Sequence, residues 1–468
     1  MTTQRDPVGY AAVTGNSALI PKAGGGLPLA GHVLRMLRDP HGFLEELTAR
    51  GDLVEIRLGR QKVIVVCDPE LTRQVLLDDR TFDKAGPIHD RATEVFGISI
   101  GTCRHDQHRA QRRMMQPAFH RSRFTDYARI MSGPISATVN SWEAGQVIDV
   151  TEESLRFGVM ISIETMFGSV LSPPELQRTV ADLATIVDGL YRCMLSPPLL
   201  SRAPLPFNRR YSEALARFRN TVKVITDRPR TTRTGQEDLL TVLLAAYESA
   251  DETLLRQVEK AGIPNQVVAF IVAGAEAVGS TLAWSLYMLD RHPELKERLH
   301  AEIDEVLAPG VRPGMEHIPQ LAFTSSVVSE VLRLYPAGWM FTRAATRDTE
   351  LGGYAIPAGT VILYSPYLIH RRSDLYPDPN CFNPDRWAPT AAKSTARHAF
   401  IPFGAGARKC IGDELGTVEA ILALASITRQ WDLQLLPGST VRPVAATSFR
   451  PHGLRMRASA RRPAEADL

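Results

Sequence analysis

A mainly α fold with a small β portion is what this sequence predicts, and three observations carry it. From Cys67 to Leu334 most stretches place apolar residues at three- and four-residue steps, the period of a helix with one buried face. One long run, Pro264 to Asp290, is apolar nearly all round and belongs in the interior. Strand-like runs are short and lie towards the two ends of the chain.

Taken in order, the first 20 residues hold two short apolar runs, Tyr10-Ala11-Ala12-Val13 and Ala18-Leu19-Ile20, separated by Gly15, Asn16 and Ser17. Neither approaches the ~20 continuous apolar residues that span a bilayer, and the basic start and cleavage pattern of a signal peptide are missing. Residues 1–20 are therefore expected to be disordered, with no membrane anchor. Residues 21–468 read as a single domain, because no Gly/Ser or charged linker and no repeat divides them. After the Gly/Pro-rich segment Pro21 to Pro28 comes a helix over Pro40 to Arg50. Strands follow over Leu53 to Leu58 and Lys62 to Cys67, with Gly59-Arg60 at the turn. Helical spacing covers Phe124 to Trp142, Thr151 to Phe167 and Asn208 to Asp227, and the prolines 197, 198, 204 and 206 mark a loop. Pro264 suits the first turn of the long apolar helix, which contains an acid, Glu276, that is costly to bury without a partner. Short β segments return at Thr342 to Thr346, Val361 to Tyr364 and near the C-terminus, and Thr417 to Arg429 reads as a helix.

The 468 residues are 44% apolar and 22% charged, enough for a large core. A net charge of +3, with basic and acidic residues interspersed, gives no argument for nucleic acid. Five cysteines at wide, irregular spacing form neither a CxxC nor a Cys/His zinc pattern, and a reduced, cytoplasmic setting fits them.

Chemistry concentrates in Phe403-Gly404-Ala405-Gly406-Ala407-Arg408-Lys409-Cys410-Ile411-Gly412. Two glycines let the backbone turn tightly, so that its N–H groups approach a sulfur and stabilise its charge. Arg408 adds positive charge, Phe403 an apolar lid, and the following helix an N-terminal dipole. Read as FGxGxRxCxG, the run resembles the haem-binding signature of the cytochrome P450 superfamily. The resemblance covers Pro21 to about Arg461 and implies the cytochrome P450 fold, with haem b held through the Cys410 thiolate.

Further motifs agree. A lone Glu330-Val331-Leu332-Arg333 pair is ordinarily a surface pair of small energetic weight. Here its neighbours are apolar, and with Arg386 the three residues are similar to the family's structural Glu-Arg-Arg network. His108 and Arg112 share one helix face at i, i+4. The resemblance implies that Arg112, Arg343 and Arg408, with His108 assisting and Phe403 alongside, hold the haem and its two carboxylates; arginine's forked, permanent charge suits that task. On residue type alone, His108 reads equally as a surface histidine.

The segment Ala273-Gly274-Ala275-Glu276-Ala277-Val278 departs from the family. The fifth position is ordinarily a threonine whose hydroxyl helps deliver protons on the oxygen side; here it is Ala277. Either water, Glu276 or substrate takes over, or a substrate hydroxyl supplies the contact, or the reaction is not a simple hydroxylation. Ser280 and Thr281 lie a turn too far along. Glu276 and Ala277 are the catalytic candidates, and Ile98, Val272, Ala273, Trp339, Met340 and Phe449 the substrate-lining ones, an apolar set suited to a lipophilic molecule. The runs from Ala23 to His32 and Leu351 to Gly359 look similar to bacterial terpenoid-oxidising members.

The resemblance thus implies a soluble, monomeric haem-thiolate monooxygenase that inserts one atom of O2 into a lipophilic small molecule such as a terpenoid. No flavin or iron–sulfur segment is evident, so electrons are expected from a ferredoxin and its reductase. Arg112, Arg113, Arg121, Arg123 and Lys409 read either as their docking face or as a solvated basic surface. Two other classes stay open: an oxidative ring-closing or coupling enzyme on the same scaffold, and a haem-thiolate binding protein without turnover.

Overall fold

The computed structural model describes residues 19–168, 171–195, 203–227, 238–258, 262–388, 399–445 and 447–461. The disorder expected at the N-terminus falls, up to residue 18, outside the described residues, as do Pro197 and Pro198 of the expected loop.

Helices dominate, as the spacing predicts. Those that shape the site are Pro40–Thr48, Pro69–Leu77, Pro87–Phe96, His105–Met115, Val150–Phe167, Ile263–Arg291, Ala322–Leu334, Pro366–His370 and Asp413–Gln430. Their starts are written in the sequence. Asp39, Asp68 and Ser365 each cap a helix whose first residue is proline, accepting from Gly42, Leu71 and Leu368 N–H. The same rule corrects one expectation: Pro206 is not loop but the first residue of helix Pro206–Thr226. Proline's missing N–H would be unpaired there in any case, and its fixed φ already suits the helix.

The largest sheet orders its strands β1 (Leu53–Leu58), β2 (Gln61–Val66), β8 (Val361–Tyr364), β5 (Phe341–Ala345) and β3 (Phe82–Asp83). β1 and β2 form the expected hairpin around Gly59, whose φ of 63° favours glycine. Alternate residues serve opposite faces: Val63, Val65 and Leu363 pack with Phe43 and Leu47, whereas Ile64, Val66 and Ile362 pack with Val75 and Leu76. This sheet carries Arg343 on β5 opposite Ile362. A smaller antiparallel pair, β10 (Arg442–Ala445) with β11 (Phe449–His452), lies beside the central helix.

That central helix, Ile263–Arg291, is long and apolar enough to cross a membrane by composition, but 78% of its most apolar window is buried in the protein. It lies backbone to backbone against Val150–Phe167. A Cβ on Gly158 would collide with the Ala275 carbonyl, and one on Gly279 would lie 2.8 Å from Ser154 O. Midway along, burial breaks: Ala273 is exposed and Ala277 half-buried, i and i+4 on one face, between buried Val272 and Val278.

Candidate functional site

Cys410 stands between a 3₁₀ turn, Gly406–Arg408, and the helix that begins at Asp413. Gly404 and Gly406 both adopt φ of 69°, and a Cβ at Gly406 would collide with the Leu76 carbonyl. Glycine is required there, which is why the turn can fold against helix Pro69–Leu77. Cys410 N–H donates to Phe403 O at 2.9 Å, closing the loop on itself. Protein packs densely about the sulfur and this desolvation pushes the thiol up. The Gly412 N–H and the Arg112 and Lys84 cations pull the other way, and Asp413 adds to the rise. The residue nevertheless keeps an exposed face. Such a thiol ionises readily only when coordination deprotonates it outright.

The cations expected around it divide by task. Arg112 donates to Lys409 O at 2.6 Å and to Ala407 O at 3.3 Å, so it grips the cysteine loop itself. Arg408 is buried and pairs instead with two acids, Asp79 at 3.1 Å and Asp83 at 2.7 Å, while donating to Cys103 O at 2.8 Å. A buried guanidinium needs such counter-charge. Burial works against the Asp79 charge, but His105 and Arg408 hold its carboxyl below the ordinary value. His108 is buried on helix His105–Met115, not at the surface. Burial, then Arg408, Lys84 and Arg112, take it down to about 3, so it is a neutral imidazole rather than a further cation.

Arg343 differs from these. It is 4% exposed, lies over the Tyr364 ring at 5.8 Å, and among the described residues makes no side-chain hydrogen bond. A permanent charge buried without a hydrogen-bonded anion is costly, so the site is built for an anionic ligand group. Lys84, which sequence reasoning missed, reinforces this. It donates to Gly101 O, and burial, with Arg343 and Arg408 beside it, lowers it to about 7. Nothing in a lysine after a two-residue strand signals such a place. A thiol in a glycine turn beside buried Arg343 and half-buried Lys84 fits a haem: sulfur for its iron, cations for its carboxylates. Arg343→Met is expected to speed haem loss about tenfold while leaving the apoprotein no less stable. Haem transfer to a scavenger globin and apoprotein melting curves measure the two effects; equal haem retention would contradict the assignment.

Glu330, Arg333 and Arg386 are brought together as expected. Glu330 accepts from Arg333 Nη2 at 2.7 Å and Nε at 2.9 Å, Arg386 Nε at 3.3 Å, Asn383 N–H at 3.0 Å and Trp387 Nε1 at 2.9 Å. Glu330 and Arg333 are both 0% exposed.

On the central helix the two catalytic candidates part company. Ala277 sits on the same face as exposed Ala273, whereas Glu276 is buried and accepts from Ser448 N–H at 2.8 Å, just ahead of β11. Burial pushes the Glu276 carboxyl up, against the influence of Thr447, Ser448 and Arg450. A cavity of about 10 Å³, near the size of one water, lies among Thr151, Glu276, Ser280, Ser448 and Arg450. Ser280 and Thr281 do not replace the missing hydroxyl, since Ser280 donates to Phe449 O at 2.7 Å and Thr281 to Ala277 O at 2.8 Å.

The substrate-lining candidates scatter. Ile98 is half-buried beside a cavity of about 460 Å³ that also touches Thr102, Cys103 and Arg104. Met340 is half-buried and Val272 fully buried. Trp339 and Phe449 are 2% and 1% exposed and belong to an aromatic core, with His41 centred 5.0 Å from Trp339 and 4.0 Å from Phe449. Aromatic type alone does not separate a pocket wall from core.

Comparison with known proteins agrees with this geometry. The family model described as cytochrome P450 matches residues 21–457. The chain is 41% identical to cyclooctatin synthase of Streptomyces melanosporofaciens over 93% of its own length and 94% of that protein's. It is likewise 41% identical to pentalenene oxygenase of Streptomyces avermitilis, over 95% and 98%. A second Streptomyces melanosporofaciens protein, cyclooctat-9-en-7-ol 5-monooxygenase, is 40% identical over 90% of both chains. Among solved structures, a cytochrome P450DA haem domain superposes with a TM-score of 0.83 at 24% identity, covering 96% of this chain and 99% of that one. With the family model matched over most of its length and a cysteine turn, cations and a Glu-Arg-Arg lock in its structure, this chain belongs to the cytochrome P450 family.

Proposed function

We propose that this protein is a haem-thiolate monooxygenase of terpenoids, inserting one atom of O2 at a C–H bond. The observation that carries the chemistry is Cys410, held in a turn that only glycine permits, as a residue that keeps an exposed face. The substrate class is supported by relatives at 40–41% identity whose names specify pentalenene and a cyclooctatenol. The haem would be held through the Cys410 sulfur and would supply the oxygen chemistry, for which a thiolate is an electron-rich donor to its iron.

The chain's own residues do the rest. Arg343 and Lys84 balance the cofactor's carboxylates, and Arg112 fixes the carbonyls of the cysteine loop. Ala273 and Ala277 present a small apolar surface to substrate. Glu276, raised by burial, holds a proton more readily than an exposed carboxylate and stands beside the water-sized cavity near Arg450. Arg450 in turn pairs with the exposed Asp188 at 2.6 Å, a connection to solvent. The exposed Arg113, Arg121 and Lys409 suit an acidic electron donor such as a ferredoxin, and the protein acts as a cytoplasmic monomer.

Terpene hydrocarbons and alcohols are to be screened by the haem spin-state shift, then turned over with a ferredoxin and reductase under labelled O2. Label in the product is expected; ligands that shift the spin state but yield unlabelled product would refute oxygen insertion. Ala277→Thr is expected to change the share of consumed O2 that appears as peroxide. Unchanged peroxide and product yields would show that position 277 is immaterial.

A further inference from the structure

His370 ends the short helix Pro366–His370, is 0% exposed, and belongs to none of the motifs read from the sequence. Both of its ring nitrogens are engaged. Nδ1 lies 3.0 Å from the Arg333 carbonyl, and Nε2 accepts from Ile401 N–H at 2.9 Å. A carbonyl only accepts and a backbone N–H only donates, so the single ring proton sits on Nδ1. Both partners need it. Arg333 O is among the last carbonyls of helix Ala322–Leu334, where intrahelical donors have run out. Ile401 N–H lies in the irregular segment that leads into the cysteine turn. The Arg333 guanidinium answers by donating to His370 O at 2.9 Å.

Ile401 is the hinge of this arrangement. Its own carbonyl accepts from Gly404 N–H at 3.0 Å, and two residues on Phe403 O accepts from Cys410 N–H at 2.9 Å. The residues before it are pinned as well: Tyr376 OH donates to Ala399 O at 2.9 Å, and the Phe400 ring lies 5.5 Å from His370 and 4.3 Å from Trp387. An unbroken path therefore runs from Glu330 through Arg333, His370 and Ile401 to the turn that carries the sulfur.

We propose that His370 is a positioning residue for the iron ligand: its Nε2 lone pair anchors Ile401 and so sets the glycine turn that presents Cys410. This rests on the haem-thiolate reading above. Burial, with Arg333 and Arg371 nearby, holds the ring down to about 3 despite the hydrogen bond to Arg333 O, so the lone pair is available at any physiological pH.

Two substitutions separate the two bonds. His370→Asn keeps a donor near the place of Nδ1 but leaves Ile401 N–H without an acceptor; His370→Gln keeps an acceptor near the place of Nε2 and releases Arg333 O. Both holoproteins are compared with the parent by the ferrous–carbonyl Soret band, which distinguishes thiolate from thiol ligation, and by haem transfer to a scavenger globin. His370→Asn is expected to gain a thiol-type band and lose haem about tenfold faster, with His370→Gln within about twofold of the parent. Equal effects, or a larger one in His370→Gln, would overturn the proposal, since a purely structural histidine predicts no such order. Should neither variant take up haem, ring 15N shifts of the parent protein decide: a neutral Nδ1–H tautomer from about pH 5 to pH 9 supports it, and any other form overturns it. A parent lacking the thiolate band would instead bring down the haem-thiolate reading itself.

Discussion

Glu330→Ala is expected to destabilise the fold by about 3–5 kcal/mol, enough that little holoprotein accumulates. The size follows from what the substitution strands. Arg333 is wholly buried and loses both bonds to the carboxylate; Arg386, Asn383 N–H and Trp387 Nε1 lose the same acceptor. An exposed pair at this spacing would contribute only a few tenths of a kcal/mol. Glu330→Gln retains an acceptor but not the charge, and falls between. Urea unfolding followed by tryptophan fluorescence, with haem content per chain, measures the effect. A loss below about 1 kcal/mol for Glu330→Ala would show that the pair is no more than a surface bridge.

Cys410→Ser is expected to reduce product formation to that of a control without enzyme, and to leave the fold standing. Serine is nearly isosteric, so the Cys410 N–H bond to Phe403 O and the paired Arg408 behind the turn are untouched. What disappears is the electron-rich sulfur, for which a neutral hydroxyl is no substitute. Circular dichroism and product quantification with the same electron donors test both halves. Turnover within tenfold of the parent would remove Cys410 from the chemistry.

The sequence was most informative where local chemistry is unforgiving. The cysteine turn was legible because its conformation demands glycine at 404 and 406, and the central helix because a long run that is apolar nearly all round must keep its side chains out of water. Helix ends at Pro40 and Pro69 follow from an Asp-Pro step that caps and starts a helix together. Long-range pairing was not legible. Nothing local tells that Arg408 will be neutralised by Asp79 and Asp83, more than 300 residues earlier, or that Lys84 will sit beside Arg343. Nor does apolar character distinguish Ala273, which is exposed, from Trp339 and Phe449, which fill an aromatic core around His41. His370 was invisible because its role lies in two backbone partners, and backbone partners leave no mark on composition.

Everything proposed for this protein turns on one bond, that of the Cys410 sulfur, as a thiolate, to haem iron. Its most direct test is the ferrous–carbonyl absorption spectrum of the purified holoprotein at neutral pH. A Soret band at the strongly red-shifted position that only thiolate ligation gives is expected, and its loss in Cys410→Ser. A band at the position of histidine- or thiol-ligated haem, in protein with one haem per chain, would contradict it.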